Sequence, residues 1–211
     1  MNGIYVSEHP LVIHKINMLR RINLRTKEFQ EISKELTSLL MYEATRDLLL
    51  KKKRIKYWLG YGSFHFLAGK KFVIVPILRA GIGMAEGALQ IIPGLRTGFI
   101  GIYREHKMLK AIRYYVNLPN KMNERIAFVL DPMLATGNSL VAAVNIIKDS
   151  GCKDIRVICF VAAPEGIKQL TKEHPDVKIY VATVDERLNN VGYIVPGLGD
   201  AGDRMSGVKV K

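Results

Sequence analysis

From Lys71 to Val184 the sequence alternates short, near-continuous runs of valine, isoleucine and leucine with segments on helical spacing. Uninterrupted apolar runs mark strands covered on both faces, the pattern of a parallel sheet, because a strand with one wet face alternates instead. The runs predict strands at Phe72–Leu78, Gly98–Tyr103, Ile126–Leu130, Ile155–Ala162 and Ile179–Val184. Between them the spacing predicts helices at Ile82–Ile92, Leu140–Asp149 and Glu165–Glu173. The expected class is α/β, a doubly wound sheet flanked by helices. Ligands of such sheets sit beyond the carboxyl ends of the strands. That puts Arg79, Arg104 and Asp131, each just after a strand, on one rim.

The richest stretch on that rim is Ala127–Ser139, AFVLDPMLATGNS. A buried strand delivers one acid, Asp131, to a turn of small and hydroxyl residues. Leu140, Val141, Val144, Ile146 and Ile147 then follow helical spacing to a stop at Gly151. Strand, hydroxyl-bearing turn and helix start form a phosphate cradle: unpaired amide N–H groups and the positive end of the helix dipole offer donors to a dianion. Thr136 and Ser139 add hydroxyls, and Gly137 lets backbone approach the ligand. An NTPase P-loop is excluded because Gly137 is followed by Asn138 and Ser139 with no lysine. The dinucleotide fingerprint fails at Gly81, Gly83 and Glu86, where a carboxylate replaces the third glycine. A sugar phosphate suits the remaining pattern, with Asp131 on ribose hydroxyls. An ordinary strand–turn–helix connection with a capping serine would give the same local sequence.

The chain of 211 residues fits one α/β domain with an N-terminal addition. Within the helical first sixty residues, Thr26 is the expected cap of an amphipathic helix with a stripe of Phe29, Ile32, Leu36 and Leu39. Leu39, Leu40 and Met41 widen that stripe, so a second covered side is expected, supplied by another subunit. Cys152 and Cys159 are expected as reduced core residues rather than a disulfide or a zinc site. The N-terminus lacks a signal pattern and no apolar run reaches membrane-span length, so the expected location is the cytoplasm. The net charge of +13 implies attraction to anions. Its densest run, Lys51 to Lys56, is expected at a helix end, where cations complement the dipole.

Two further stretches carry chemistry. Residues 104–125 form the longest segment without a clear element, basic and aromatic: Arg104, His106, Lys107, Lys110, Arg113, Tyr114 and Tyr115. It suits a β-hairpin lid over an anion, or a solvated excursion used in oligomer contacts. The tail Gly192–Gly207, GYIVPGLGDAGDRMSG, suits close backbone approach to a planar ligand, since fixed N–H and C=O groups can read a nucleobase edge. Asp200 and Asp203 there suit sugar hydroxyls, a metal or a turn.

Together, VPILRAG (Val75–Gly81), LDPMLATGNS (Leu130–Ser139), VAAPEGI (Val161–Ile167) and GYIVPGLGDAGDR (Gly192–Arg204), with the N-terminal HPLVIHK and YEATRDL, closely resemble the uracil phosphoribosyltransferase family. The resemblance spans nearly the whole chain. It implies a type I phosphoribosyltransferase fold in a single domain, residues 1–211, with a hairpin lid at 104–125 and a base-binding hood and tail at 185–211. It implies conversion of uracil and 5-phosphoribosyl 1-diphosphate (PRPP) to UMP and diphosphate, with magnesium, a homodimer or larger homo-oligomer, and GTP as an effector. The catalytic residues it implies are Arg79, Asp131 and Asp200. PRPP would meet Arg79, Arg104, Asp131, Pro132, Met133, Leu134, Ala135, Thr136, Gly137, Asn138, Ser139 and Asp200. Uracil would meet Ile194, Gly199, Asp200 and Ala201, largely through backbone.

The sequence departs from the family at Asn138, where glycine is common; asparagine tolerates left-handed backbone, which would keep the cradle's shape. The lid is more basic than usual, and Met205 and Ser206 replace a leucine and an aromatic. Two other functions fit the same residues. A nucleotide-sensing RNA-binding regulator would bind RNA with steep salt dependence, and a purine-specific transferase would prefer hypoxanthine or guanine to uracil.

Overall fold

The computed structural model describes residues 3–69, 71–104 and 111–208. The chain opens with β1 (Ile4–Val6), α1 (Pro10–Leu19) and α2 (Thr26–Ala44), then a hairpin of β2 (Leu50–Tyr57) and β3 (Gly60–Leu67). The central part runs β4 (Lys71–Leu78), α3 (Ile82–Ile91), β5 (Arg96–Thr97), β6 (Phe99–Arg104), β7 (Ala111–Asn117), β8 (Arg125–Leu130) and β9 (Met133–Leu134). It continues through α4 (Asn138–Asp149), β10 (Asp154–Ala162), α5 (Pro164–Glu173) and β11 (Lys178–Val184). The chain closes with β12 (Arg187–Leu188), β13 (Ile194–Val195) and α6 (Ala201–Ser206).

The main sheet has the order β1-β11-β10-β8-β4-β6-β7, with β5 beside β4 and β9 beside β10. All its pairings are parallel except β6 with β7. Side chains along β8 alternate between two cores, as the pleat requires. Ile126, Phe128 and Leu130 join α1, α2, α3 and α6 on one face. Ala127 and Val129 join Leu140, Val144 and Ile147 of α4 and Ile167 and Leu170 of α5 on the other. Burial on both faces accounts for the unbroken apolar runs. Arg156, on β10 and nearly buried, is tied by ion pairs to Asp47 and Asp154 and lies over the Phe128 ring.

Several expectations are corrected. The Lys51–Lys56 run does not end a helix: it lies in β2, paired antiparallel with β3 in register Lys51↔Phe66, Lys53↔Phe64 and Lys56↔Tyr61. The first sixty residues are therefore not wholly helical. Thr26 is the first residue of α2 rather than its cap; Arg25 caps, with its backbone N–H on Glu28 Oε2 at 2.9 Å. The wide stripe of α2 is met within the chain, since Leu36, Leu40 and Met41 are buried in one core with Met84 and Ala88 of α3, and Leu39 packs against it. Residues 104–125 carry β7 and a 3-10 turn at Met122–Glu124, and the β6–β7 pairing makes the expected hairpin. Its tip, including Glu105, His106, Lys107 and Lys110, lies outside the described residues. Cys152 and Cys159 are free and buried.

Candidate active site

The parallel strands end together, so Arg79 after β4, Asp131 after β8 and Asp185 after β11 emerge at one edge of the sheet. Two glycines let the loops there close up. A Cβ on Gly81 would stand 2.2 Å from Leu130 O, so the Arg79–Gly81 turn lies directly against the end of β8 and thus beside Asp131. A Cβ on Gly166 would stand 2.2 Å from Ala135 O, so the first turn of α5 abuts the cradle. In both places any side chain would force backbone apart. The Leu78–Arg79 peptide is cis.

The cradle is tied to its neighbours by backbone. Phe160 N–H donates to Pro132 O at 3.0 Å and Ala163 N–H to Leu134 O at 2.9 Å. Asp131, Met133, Leu134, Ala135, Thr136, Gly137 and Ser139 line a depression of about 120 Å³. Pro132 is buried with its carbonyl spent on β10. Gly137, with φ +86°, is the left-handed residue that caps α4, and Asn138 is the first helical residue. The tolerance of asparagine for left-handed backbone is not called on at position 138, because the glycine one position earlier takes that conformation.

Asp131 is part-buried, and burial pushes its carboxyl up to about 7, against one opposing bond from Met133 N–H at 3.3 Å. Burial, and then the nearby Asp131, pushes the Cys159 thiol well up. Arg79 is exposed and lines a second cavity of about 570 Å³ with Ile82, Gly83, Gly202 and Met205. Lys27 and Lys34 of α2 also line it, and Lys34 is paired with Glu86.

The tail reaches the same edge. A Cβ on Gly202 would lie 3.7 Å from Ala80 Cβ, so the Arg79–Gly81 turn touches the tail as well as β8. Asp200 caps α6, its Oδ1 accepting from Asp203 N–H at 2.9 Å. Of the roles open to this pair, the turn is the one made within the chain. Gly199 and Asp200 are exposed, while Ile194 and Ala201 have buried side chains, leaving backbone as what the latter two can present. The Val195–Pro196 peptide is cis. Arg204 fastens the start of the tail, donating to Leu19 O at 2.6 Å, Leu198 O at 2.8 Å and Arg21 O at 2.7 Å.

The structure thus brings together Arg79, Asp131 with its cradle, and the tail. Arg104 ends β6, next to β4. Sequence reasoning missed Arg20 and Asp185, a close ion pair behind the tail with Nη2–Oδ1 2.7 Å. Gly81 and Gly166 lie within the sequence motifs, but their role comes from backbone packed against them in the fold. Among the described residues no three His, Cys, Asp or Glu side chains gather as a metal site, and no helix is long and apolar enough to cross a membrane.

A parallel sheet with a phosphate-type turn after one strand, an arginine turn beside it and a backbone-lined tail define a phosphoribosyltransferase-type α/β protein. Comparison with known proteins makes this specific. The family model "Uracil phosphoribosyltransferase" matches residues 6–207, and the chain belongs to that family. It is 53% identical to the uracil phosphoribosyltransferase of Shouchella clausii, over 99% of this chain and 100% of that one. It is 51% identical to that of Bacillus cytotoxicus over the same shares. A solved protein of Aquifex aeolicus superposes with a TM-score of 0.94 at 42% identity, covering 99% of this chain and 100% of that chain.

Proposed function

We propose that the chain transfers the 5-phosphoribosyl group of PRPP to N1 of uracil, giving UMP and diphosphate in pyrimidine salvage. The observation that carries this is the Arg79–Gly81 turn, which touches both the end of β8 and the tail, so phosphate-type and base-type loops share one site. Asp131–Ser139 holds the ribose 5-phosphate by backbone N–H and hydroxyl donors. Arg79 and Arg104 hold the diphosphate by paired bonds. Ile194, Gly199, Asp200 and Ala201 present uracil largely through backbone, with Asp200 also facing PRPP. The C1′–diphosphate bond breaks as the C1′–N1 bond forms, through a cation-like ribosyl centre, and N1 loses its proton. These residues fix the base and gather charge on the leaving group, and no covalent nucleophile is needed.

Magnesium, a hard cation that prefers oxygen, would be carried mainly by PRPP itself and would supply charge neutralisation to the leaving diphosphate, with few ligands expected from the protein. The hairpin β6–β7 serves as lid and residues 185–211 as base-binding hood. Family resemblance supports a GTP effector, and buried free thiols suit a reducing cytoplasm. The test is transfer of labelled uracil with PRPP and magnesium, with and without GTP, beside hypoxanthine and guanine. Uracil is expected to be the preferred base; faster transfer to either purine would overturn this reading.

The chain acts as a homo-oligomer joined through the β2–β3 hairpin. Strand register places Ile55, Tyr57, Phe64 and Phe66 on one face with Lys51 and Lys53 among them, and Lys52, Arg54, Lys56, Tyr61 and His65 on the other. Tyr57, Phe64 and Phe66 are each about 40% exposed, and an isolated two-stranded hairpin is marginal in water. A second copy covering the aromatic face would stabilise both. Light scattering at micromolar concentration is expected to give a dimer or larger, shifted toward monomer by Phe64→Ser; a monomeric parent would sink the idea.

A further inference from the structure

We propose that Arg20 and Asp185 are positioning residues for the base, locking the Val195–Leu198 turn so that the backbone beyond it faces uracil in one geometry. The proposal rests on the reading of Ile194–Ala201 as the base-binding segment. Asp185 follows β11 and is 7% exposed. Arg20 caps the carboxyl end of α1, and its Nη1 and Nη2 donate to Asp185 Oδ2 and Oδ1 at 2.8 and 2.7 Å. The same carboxylate accepts Gly197 N–H at 2.7 Å, and the same guanidinium donates to Gly197 O at 2.9 Å. One ion pair therefore grips both polar groups of a single residue in the tail.

That residue sits at the tightest point of the turn. Gly197 has φ +63°, and a Cβ there would stand 2.2 Å from Ile194 O, so the two ends of the turn already touch. Arg204 holds the next residue, Leu198, by its carbonyl. Neither Arg20 nor Asp185 lines either cavity of the site, so their effect must pass through the turn. A base read by backbone has no flexible side chain to adapt to it, and the position of the turn then sets how well the base is held. Small displacements of positioning groups are costly for that reason.

The test is steady-state kinetics on Asp185→Ala, Asp185→Asn and Arg20→Lys, each substrate varied at saturating levels of the other, with melting temperatures alongside. Gly199→Ala, which strains left-handed backbone at φ +70° although its new Cβ would meet nothing, disturbs the base turn directly and serves as its reference. In Asp185→Ala the KM for uracil is expected to rise about tenfold to a hundredfold. The KM for PRPP is expected to stay within about twofold, a split that general loosening of the fold would not produce. Asp185→Asn keeps an oxygen for Gly197 N–H and should recover part of the loss. If Asp185→Ala does not fold, Asp185→Asn and Arg20→Lys are judged by the same split.

An unchanged uracil KM in every folded variant of the pair, or both KM values rising together, overturns the proposal. If Gly199→Ala raises the uracil KM while the pair's variants do not, the lock fails and the base turn stands. If Gly199→Ala also leaves it unchanged, the base-turn assignment fails with it.

Discussion

Asp131→Asn is expected to lower kcat/KM for PRPP by about a hundredfold to a thousandfold and to erase an acid limb near neutrality. Asp131 stands at the end of β8 beside the Arg79–Gly81 turn, and its burial pushes the carboxyl up to about 7. In the free enzyme the group is therefore protonated in mild acid and ionised in mild base. Only the ionised form is purely an acceptor for ribose hydroxyls and offers negative charge to a cation-like ribosyl centre. Activity of the parent should rise with pH through about 7 and then level, since kcat/KM reports groups of the free enzyme. The asparagine keeps the shape but has nothing to titrate.

Stability should move the other way. A carboxyl whose pKa is higher in the folded state than its ordinary 3.8 binds protons more tightly when folded. Its contribution is fully present below pH 3.8 and is lost as pH rises to about 7. Without ligand, Asp131→Asn should thus melt no lower than the parent at mildly alkaline pH, its relative advantage growing from acid to neutral. Kinetics across pH 6 to 9 or so and melting curves check both halves. A parent-like pH profile in the variant would remove Asp131 from the chemistry.

How much of this was legible depends on where each residue gets its constraint. The parallel strands were visible because both faces are buried, which forces unbroken apolar runs such as Phe72–Leu78 and Ile126–Leu130. The β2–β3 hairpin was not. With both faces carrying exposed side chains it has no buried stripe to impose alternation, and its lysines resembled a helix end. The cradle was readable because strand, turn and helix are contiguous in sequence. The Arg20–Asp185 pair joins residues 165 apart, and neither side chain stands out locally. Gly81 and Gly166 were visible as letters only; their roles come from backbone of β8 and the cradle pressing on them. Asn138 was judged by its own tolerance for left-handed backbone, whereas the strained position belongs to Gly137.

Arg79→Ala is expected to leave the fold intact and to cost about 3 kcal/mol of transition-state stabilisation, roughly a hundredfold to a thousandfold in kcat/KM. A chain with a net charge of +13 has many cations, so the choice of Arg79 needs a physical reason. Arg20, Arg156 and Arg204 are committed to carboxylates or backbone carbonyls. Removing any of them would loosen packing. Among the described residues Arg79 forms no ion pair, is exposed, and lines the larger cavity of the site. Its charge is thus available to an arriving diphosphate without breaking an internal bond, and its loss should spare stability. Arg79→Lys should restore only part of the activity, because a lysine cannot make two parallel bonds to phosphate oxygens. Inhibition by diphosphate gives a second readout, weaker in both variants than in the parent. A folded Arg79→Ala enzyme with near-parental kcat/KM and diphosphate inhibition would show that the leaving group is held elsewhere.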